Sequence, residues 1–575
     1  MGRLIHLLKP YWIFALLGPL AIIGEVMLEI RIPLLMADIV DEGIPGRDIT
    51  LVLQTGGWMI VMALVSLMFG AAASFFSSRA AMGLGAEVRR AQFNKVQEFS
   101  FSNIDRLGTG SLITRLTTDV NNLQNAVMMS LRMLVRAPVM LVSATILAYT
   151  INHSLVTVFF AAVPFLAVCM AIIMTMAFPR FSAMLTKFDT LNASIQENLI
   201  GMRVVKAFVR ARHEKEKFRE ANDSVMHAQM RAERVVIFGM PLMMITMYAS
   251  IIAIMWFGGN LIIDGRMLTG ELMSFISYVT QILMSLMMIS MVFITLVISR
   301  ASVGRIIEVL SAHSDITNEG TSSGLAVENG DITFENVSFK YNKTAETNTL
   351  EGISFSIRSG ETVGIIGGTG SAKTSLVQLI PRLYDVSDGR VLVAGHDVRD
   401  YPLNALRGAI GMVLQNNVLF SGPIIDNLRW GDQSARNEDI EWAAGAAQAH
   451  DFITSFPDGY NTQLGQGGVN VSGGQKQRLC IARAMLKRPR ILILDDSTSA
   501  VDTATDARIR ASFSGELKDA TKIIIAQRIA SVREADKIIV LDNGHISDIG
   551  SHDELFCRSE IYKEVFLSQQ KGVAQ

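Results

Sequence analysis

The chain has 575 residues, 50% of them apolar and only 18% charged, and its mean hydropathy is +0.34. Soluble globular proteins carry roughly 25% charged residues, so an ordinary soluble fold is excluded, and the length calls for several domains. A formal net charge of −1 gives no electrostatic reason to expect nucleic acid as a partner.

The first 300 residues hold six apolar stretches, over 11–36, 56–78, 131–151, 155–178, 236–262 and 272–298. A bilayer core takes about 20 helical residues, so each can cross once. The start, Met1-Gly2-Arg3, carries no small-residue cleavage site after a short apolar core, and the first stretch reads as a retained membrane helix. Orientation follows the basic residues. Arg3 and Lys9 precede the first span, and the connection after it is short and acidic (Asp41, Glu42, Asp48). Arg79, Arg89, Arg90, Lys95, Arg106 and Arg115 follow the second span; Arg180, Lys187, Arg203, Lys206, Arg210 and Arg212 follow the fourth. The turns at Asn152-His153 and Asp264-Gly265-Arg266 are short. This alternation predicts a multi-pass protein of the cytoplasmic membrane with both termini in the cytoplasm. Three scattered cysteines, Cys169, Cys480 and Cys557, form no metal spacing and suit a reducing interior.

Two features inside the spans are open to two readings each. Glu25 and Glu29 share one face of the first helix; carboxylates at that depth either pair with polar groups of neighbouring helices or contact cationic cargo. Spans five and six are rich in methionine (Met240, Met243, Met244, Met247, Met255, Met284, Met287, Met288, Met291). Methionine is a flexible filler of promiscuous surfaces, and also a common residue of any apolar helix.

The long connections, 82–128 and 180–233, keep apolar residues at helical spacing, which predicts membrane helices continuing as cytoplasmic stalks. Gly108-Thr109-Gly110 and Asn121-Asn122 predict a turn or transverse helix in the first of them. The turn near Thr117–Asn122 and the segment Phe208–Glu214 are expected to reach the soluble part of the protein. Residues 1–310 thus read as a membrane domain, 311–327 as a polar linker, and 328–575 as a soluble α/β domain.

In that last domain, Gly367-Gly368-Thr369-Gly370-Ser371-Ala372-Lys373-Thr374 follows a strand and opens a helix. It matches the phosphate loop G-x-x-x-x-G-K-[ST] except that Ala372 replaces the second glycine. Backbone N–H groups would cradle ATP phosphates, Lys373 would neutralise them, and Thr374 would hold Mg²⁺. Ile491-Leu492-Ile493-Leu494-Asp495 reads as a buried strand ending in a metal-binding carboxylate. The next residue, normally a Glu acting as general base, is Asp496; further on, Gln527 stands where such proteins usually carry His.

Between these lies Val471-Ser472-Gly473-Gly474-Gln475-Lys476-Gln477-Arg478. With this segment the chain resembles the ATP-binding cassette (ABC) exporter family, a resemblance extending over nearly the whole chain. It implies an α-helical six-span transmembrane domain followed by an α/β P-loop ABC nucleotide-binding domain. Tyr341 resembles the aromatic residue that stacks on adenine, and Gln415 the glutamine that touches Mg²⁺ and senses the membrane domain. Ser499-Ala500-Val501-Asp502 resembles the D-loop; 110–120 and 197–208 resemble stalk segments. In the family, ATP sits between one cassette's phosphate loop and the other's Ser-Gly-Gly-Gln. Asp496 and Gln527 would therefore spoil this chain's own site, together with Gln466 where exporters usually have Glu, while Ser472–Gln475 would complete the partner's. The combination resembles the degenerate half of heterodimeric bacterial multidrug exporters. It implies a second, non-identical half carrying Glu and His, membrane lipid around both, and a small amphiphilic substrate. A slow homodimer with an Asp base, a lipid or peptide exporter, and a regulatory ATP-gated subunit are the competing readings.

Overall fold

The computed structural model describes residues 2–573 except 323, 343, 344, 498 and 499. It divides into two compact units: Met1–Gln97 with Thr109–Ala312, and Glu98–Gly108 with His313–Gln575.

Among the described residues of the first unit, six helices are long and apolar enough to cross a membrane: His6–Gly43, Ile49–Gln97, Thr109–Ile151, Thr157–Ile200, Ala211–Ile263 and Thr269–Ser311. The second of them has 49 residues. At 1.5 Å per residue that is about 70 Å, more than twice the roughly 30 Å of a hydrocarbon core, so the helix must continue well beyond the bilayer. Small residues let the helices close on one another: a Cβ on Gly85 would lie 2.0 Å from Gln124 Nε2, and one on Gly83 2.4 Å from the Tyr11 ring. Asp41 caps the sixth span, its Oδ1 accepting from Gly270 N (2.6 Å) and its Oδ2 from Glu271 N (3.2 Å).

Two groups of charges in these helices are paired. Arg136 of the third span donates from Nη1 to Glu25 Oε1 (2.6 Å) and from Nη2 to Glu29 Oε2 (2.5 Å). The two carboxylates therefore meet a neighbouring helix, through a partner that the sequence alone did not indicate. Arg305 forks onto Asp119, which is fully buried, with Nε–Oδ2 at 2.7 Å and Nη2–Oδ1 at 2.5 Å. Of the methionines, Met243 is buried, whereas Met240, Met244, Met255, Met284, Met287 and Met291 are exposed on this single chain.

The first stalk connection differs from expectation. Asn121 and Asn122 do not interrupt it; both lie inside the helix Thr118–Ile151, and Asn122 Nδ2 bonds Ser302 Oγ (3.1 Å) within the first unit. The connection does hold a short helix, Phe101–Leu107, and it belongs to the second unit. The chain turns where Gly108 takes φ +72°, a conformation open to glycine at no steric cost. Ser102 Oγ donates to Asp315 Oδ2 (2.9 Å) and Asn103 Nδ2 to His313 O (3.1 Å).

The stretch read as a linker is held along the second unit. Arg382 Nη1 bonds Thr317 O (3.3 Å), Leu403 N bonds Asn318 Oδ1 (2.9 Å), and Ser322 N bonds Asp400 O (2.8 Å). The centre of this unit is a six-stranded sheet. Its strands run in the order His545–Gly550, Lys537–Asp542, Thr362–Gly367, Thr521–Ile525, Ile491–Asp495, Ile410–Val413, all parallel except the first. Ile491–Asp495 and Thr521–Ile525 are buried at every position, as expected of parallel strands covered on both faces. An antiparallel four-stranded sheet (Leu350–Ile357, Ile332–Phe339, Asp388–Val393, His396–Asp397) lies in the same unit.

Candidate nucleotide site

Three neighbouring parallel strands end at one edge of the central sheet. They deliver the loop after Gly367, the Asp495-Asp496 pair and the segment after Ile525 to the same place. This is the carboxyl edge, where open α/β sheets bind ligands.

The loop 368–372 opens directly into the helix Lys373–Gln378, with Gly370 at φ +85° and Ala372 at φ +68°. Gly367 has no room for a side chain: a Cβ would lie 2.2 Å from Leu541 O and 2.5 Å from Ser371 Oγ. Gly368, Thr369 and Gly370 are exposed along the loop, and Ser371 is buried beneath it. Lys373 Nζ curls over the loop and donates to Gly367 O (2.9 Å) and Gly368 O (2.8 Å). Burial lowers its pKa, against the opposing pull of Asp495 and Asp496. Ala372 holds a left-handed conformation that costs a non-glycine residue roughly 1–2 kcal/mol. Ala372→Gly is therefore expected to stabilise the full-length protein by about 1 kcal/mol, a rise of about 2–4 °C in the melting midpoint of the second unit. A lowered midpoint in differential scanning would show that the alanine is not strained.

Thr374 Oγ1 donates to Asp495 Oδ1 at 3.1 Å. Asp495 is 1% exposed, burial raises its pKa, and its Oδ2 has no hydrogen-bond partner among the described residues. A hydroxyl beside a buried carboxylate with an unsatisfied oxygen is a donor set that fits Mg²⁺. Gln415 is exposed just beyond the strand Ile410–Val413, whose Val413 pairs with Leu494, so it emerges at the same edge.

Asp496 sits at φ +48°, and its backbone N donates to Ile525 O (3.0 Å). Gln527 Nε2 donates to Asp496 Oδ2 at 2.8 Å. The two residues that depart from the usual Glu and His thus bond to each other. Burial raises the pKa of Asp496, opposed by the Lys373 charge and by the Gln527 hydrogen bond.

Tyr341 is half exposed; its hydroxyl lies 2.8 Å from Ser375 Oγ, on the helix that follows the phosphate loop. Its ring meets Tyr384 edge-on, centroids 5.1 Å apart. Sequence reasoning missed Tyr384, whose hydroxyl donates to Asp105 Oδ2 (2.6 Å) and whose ring lies 6.0 Å from Phe101. The aromatic cluster around Tyr341 therefore touches the helix Phe101–Leu107. No spacing rule marks a contact between residues so far apart in the chain.

No hydrogen bond among the described residues joins Ser472, Gly473, Gly474 or Gln475 to the phosphate loop, Asp495, Asp496 or Gln527. Ser472 is the N-cap of the helix Gly473–Leu486, its Oγ accepting from Gln475 N (3.3 Å) while its own N donates to Gln475 Oε1 (2.9 Å). All four residues lie at the surface or partly so, and a Cβ on Gly474 would lie 2.8 Å from Ala500 O. Gln466 is exposed. Of the D-loop segment, Ser499 lies outside the described residues.

Comparison with known proteins agrees with this arrangement. Residues 15–286 match the model of the ABC transporter transmembrane region, and 350–499 that of the ABC transporter. The chain is 37% identical to the ABC transporter ATP-binding protein YfiB of Bacillus subtilis strain 168, over 99% of this chain and 98% of that protein. It is 32% identical to the putative multidrug export ATP-binding/permease protein YgaD of the same organism, over 99% of each. An ATP-dependent lipid A-core flippase of Syntrophus aciditrophicus is also 32% identical, over 83% of this chain and 79% of that one. In fold, the chain is similar to a bacterial Atm1-family ABC exporter with ATP bound (TM-score 0.80, 24% identity, 99% of each chain).

Proposed function

Because the chain belongs to the ABC transporter family, as an exporter half with one membrane domain and one cassette, we propose that it is the weakly hydrolysing half of a heterodimeric exporter. It would sit in the cytoplasmic membrane, both termini inside, and move drug-like amphiphiles outward. The observation that carries this reading is the 2.8 Å bond between Gln527 Nε2 and Asp496 Oδ2. A general base must lie within about 2.6–3.2 Å of the water it activates. Asp is one methylene shorter than Glu, and its carboxylate is already engaged by an amide that cannot carry a proton to or from the reaction.

The remaining residues retain what binding needs. Tyr341 offers its ring face to adenine, Lys373 and the backbone of 367–372 hold the phosphates, and Thr374, Asp495 and Gln415 would hold Mg²⁺. A metal held there would supply positive charge to offset that of the phosphates. Ser472 to Gln475, surface-placed, would complete the ATP site built on the partner's phosphate loop. The partner is a non-identical half with Glu and His. Closure of the two cassettes would reach the membrane helices through the segment Phe208–Glu214, docked on the partner's cassette. Phe208 and Val209 in that segment are 74% and 85% exposed on the single chain.

Drug-like cargo is supported by the name of YgaD, and lipid cargo by that of the flippase. The test of the asymmetric reading is steady-state ATP hydrolysis. The purified chain alone should bind ATP with negligible turnover, and adding a half-transporter with Glu and His should restore it. Full turnover by the chain alone would favour the homodimer.

A further inference from the structure

We propose that Gln569, on the C-terminal helix Glu560–Val573, is the positioning residue for Gln527 and through it sets how long ATP stays in this chain's own site. The inference rests on the weakly hydrolysing reading of that site. Gln569 Nε2 donates to Gln527 O (2.7 Å), and its Oε1 accepts from Ile529 N (2.9 Å). One planar amide thus satisfies the backbone on both sides of Arg528, as a neighbouring strand would.

The location explains the need. The parallel ladder ends at Ile525, where Asp496 N takes the last carbonyl of the strand. Beyond it the loop must find partners elsewhere. Ile529 is 1% exposed, and burying its N–H without an acceptor is costly. Arg510 Nη1, 3.3 Å from Ala530 O, supports the far side of the loop, but only Gln569 is bonded to the backbone of Gln527 among the described contacts.

The helix that carries Gln569 is itself fixed. Tyr562 is fully buried, its hydroxyl lies 2.7 Å from His552 Nδ1, and it belongs to the same hydrophobic core as Ile529 and Val532. Gln569 is therefore a post on a rigid support rather than a surface side chain searching for contacts.

The consequence is chemical. A glutamine amide has two N–H donors. With the loop held as it is, one is used on Asp496 and the second is left for an oxygen of the terminal phosphate. Gln569 touches neither nucleotide nor metal and acts only through Gln527, so its loss should weaken the hold on ATP and leave ADP, which lacks that phosphate, unaffected.

The experiment measures release of radiolabelled ATP and, separately, ADP from the full-length chain in its complex. The partner's own phosphate-loop lysine is replaced, so that only this chain's site is loaded. Gln569→Ala and Gln527→Ala should each speed ATP release about tenfold, within the range for a hydrogen bond to a charged group. ADP release should not change, and the double variant should release ATP no faster than Gln527→Ala alone. Unchanged ATP release in Gln569→Ala, faster release of both nucleotides, or additive effects in the double variant would each overturn the proposal. The identity of the released label separates this from the underlying reading: ADP as the main product from the complex with this chain unaltered and loaded with ATP would refute weak hydrolysis, whatever the Gln569 variants do.

Discussion

Ser472→Ala is expected to lower the ATPase rate of the assembled transporter by about 10²-fold or more, whereas Asp496→Asn should change it less than about twofold. The asymmetry follows from where each residue stands. Ser472 caps the helix Gly473–Leu486 at the surface and, among the described residues, makes no hydrogen bond to this chain's own phosphate loop. In the proposed assembly its hydroxyl and the N-terminal N–H groups of that helix face the γ-phosphate held by the partner, at the competent site. Removing one such donor at a site of developing charge typically costs about 10²–10³ in rate. Asp496 belongs to the other site, where, on the proposed reading, a shorter carboxylate already bonded to Gln527 would contribute little to water activation. Asparagine keeps an oxygen for that bond, so the local structure should survive. Loss of the Ser472 cap also costs about 1 kcal/mol of helix stability, so thermal midpoints of both variants belong beside the steady-state rates. If Asp496→Asn is the more damaging at unchanged stability, the two sites have been assigned the wrong way round.

Arg136→Leu should destabilise the membrane domain by about 3 kcal/mol, and adding Glu25→Gln and Glu29→Gln should recover most of it. Arg136 is the shared partner of both carboxylates, at 2.6 and 2.5 Å. Removing one member of a buried ion group costs about 3–5 kcal/mol, because the remaining charges stay behind uncompensated. The lower end applies here, since the side chains of Arg136, Glu25 and Glu29 are 25%, 21% and 35% exposed. The yield of monodisperse protein after detergent extraction, with its melting midpoint, gives the readout. Arg136→Leu at full stability would show that the cluster does not hold the helices together. Selective loss of cationic-dye transport in Glu29→Gln would then assign the carboxylate to cargo.

What could be read from the chain by itself was whatever is encoded locally. Spanning helices announce themselves because a bilayer demands about 20 consecutive apolar residues. The all-buried strand Ile491–Asp495 is a continuous apolar run for the corresponding reason. The phosphate loop and the Ser472 cap are short motifs whose function lies in their own backbone geometry, so spacing reveals them. Asp496 and Gln527 could be recognised singly as departures from the usual Glu and His.

Tertiary structure decided the pairings. Asp496 meets Gln527 because their strands are parallel neighbours in register from Thr521↔Ile491 to Ile525↔Asp495. Arg136 reaches Glu25 and Glu29 only because the third span packs beside the first. Tyr384 finds Asp105, and Gln569 finds Gln527, across chain separations that no periodicity spans. A break in the first stalk connection was expected at Gly108–Gly110 and at Asn121-Asn122: the turn falls at Gly108, while Asn121 and Asn122 remain helical within the first unit. Local patterns specify which conformation each segment prefers. The partner of a charge or amide is chosen by chain closure, which brings together groups whose sequence positions carry no mark of one another.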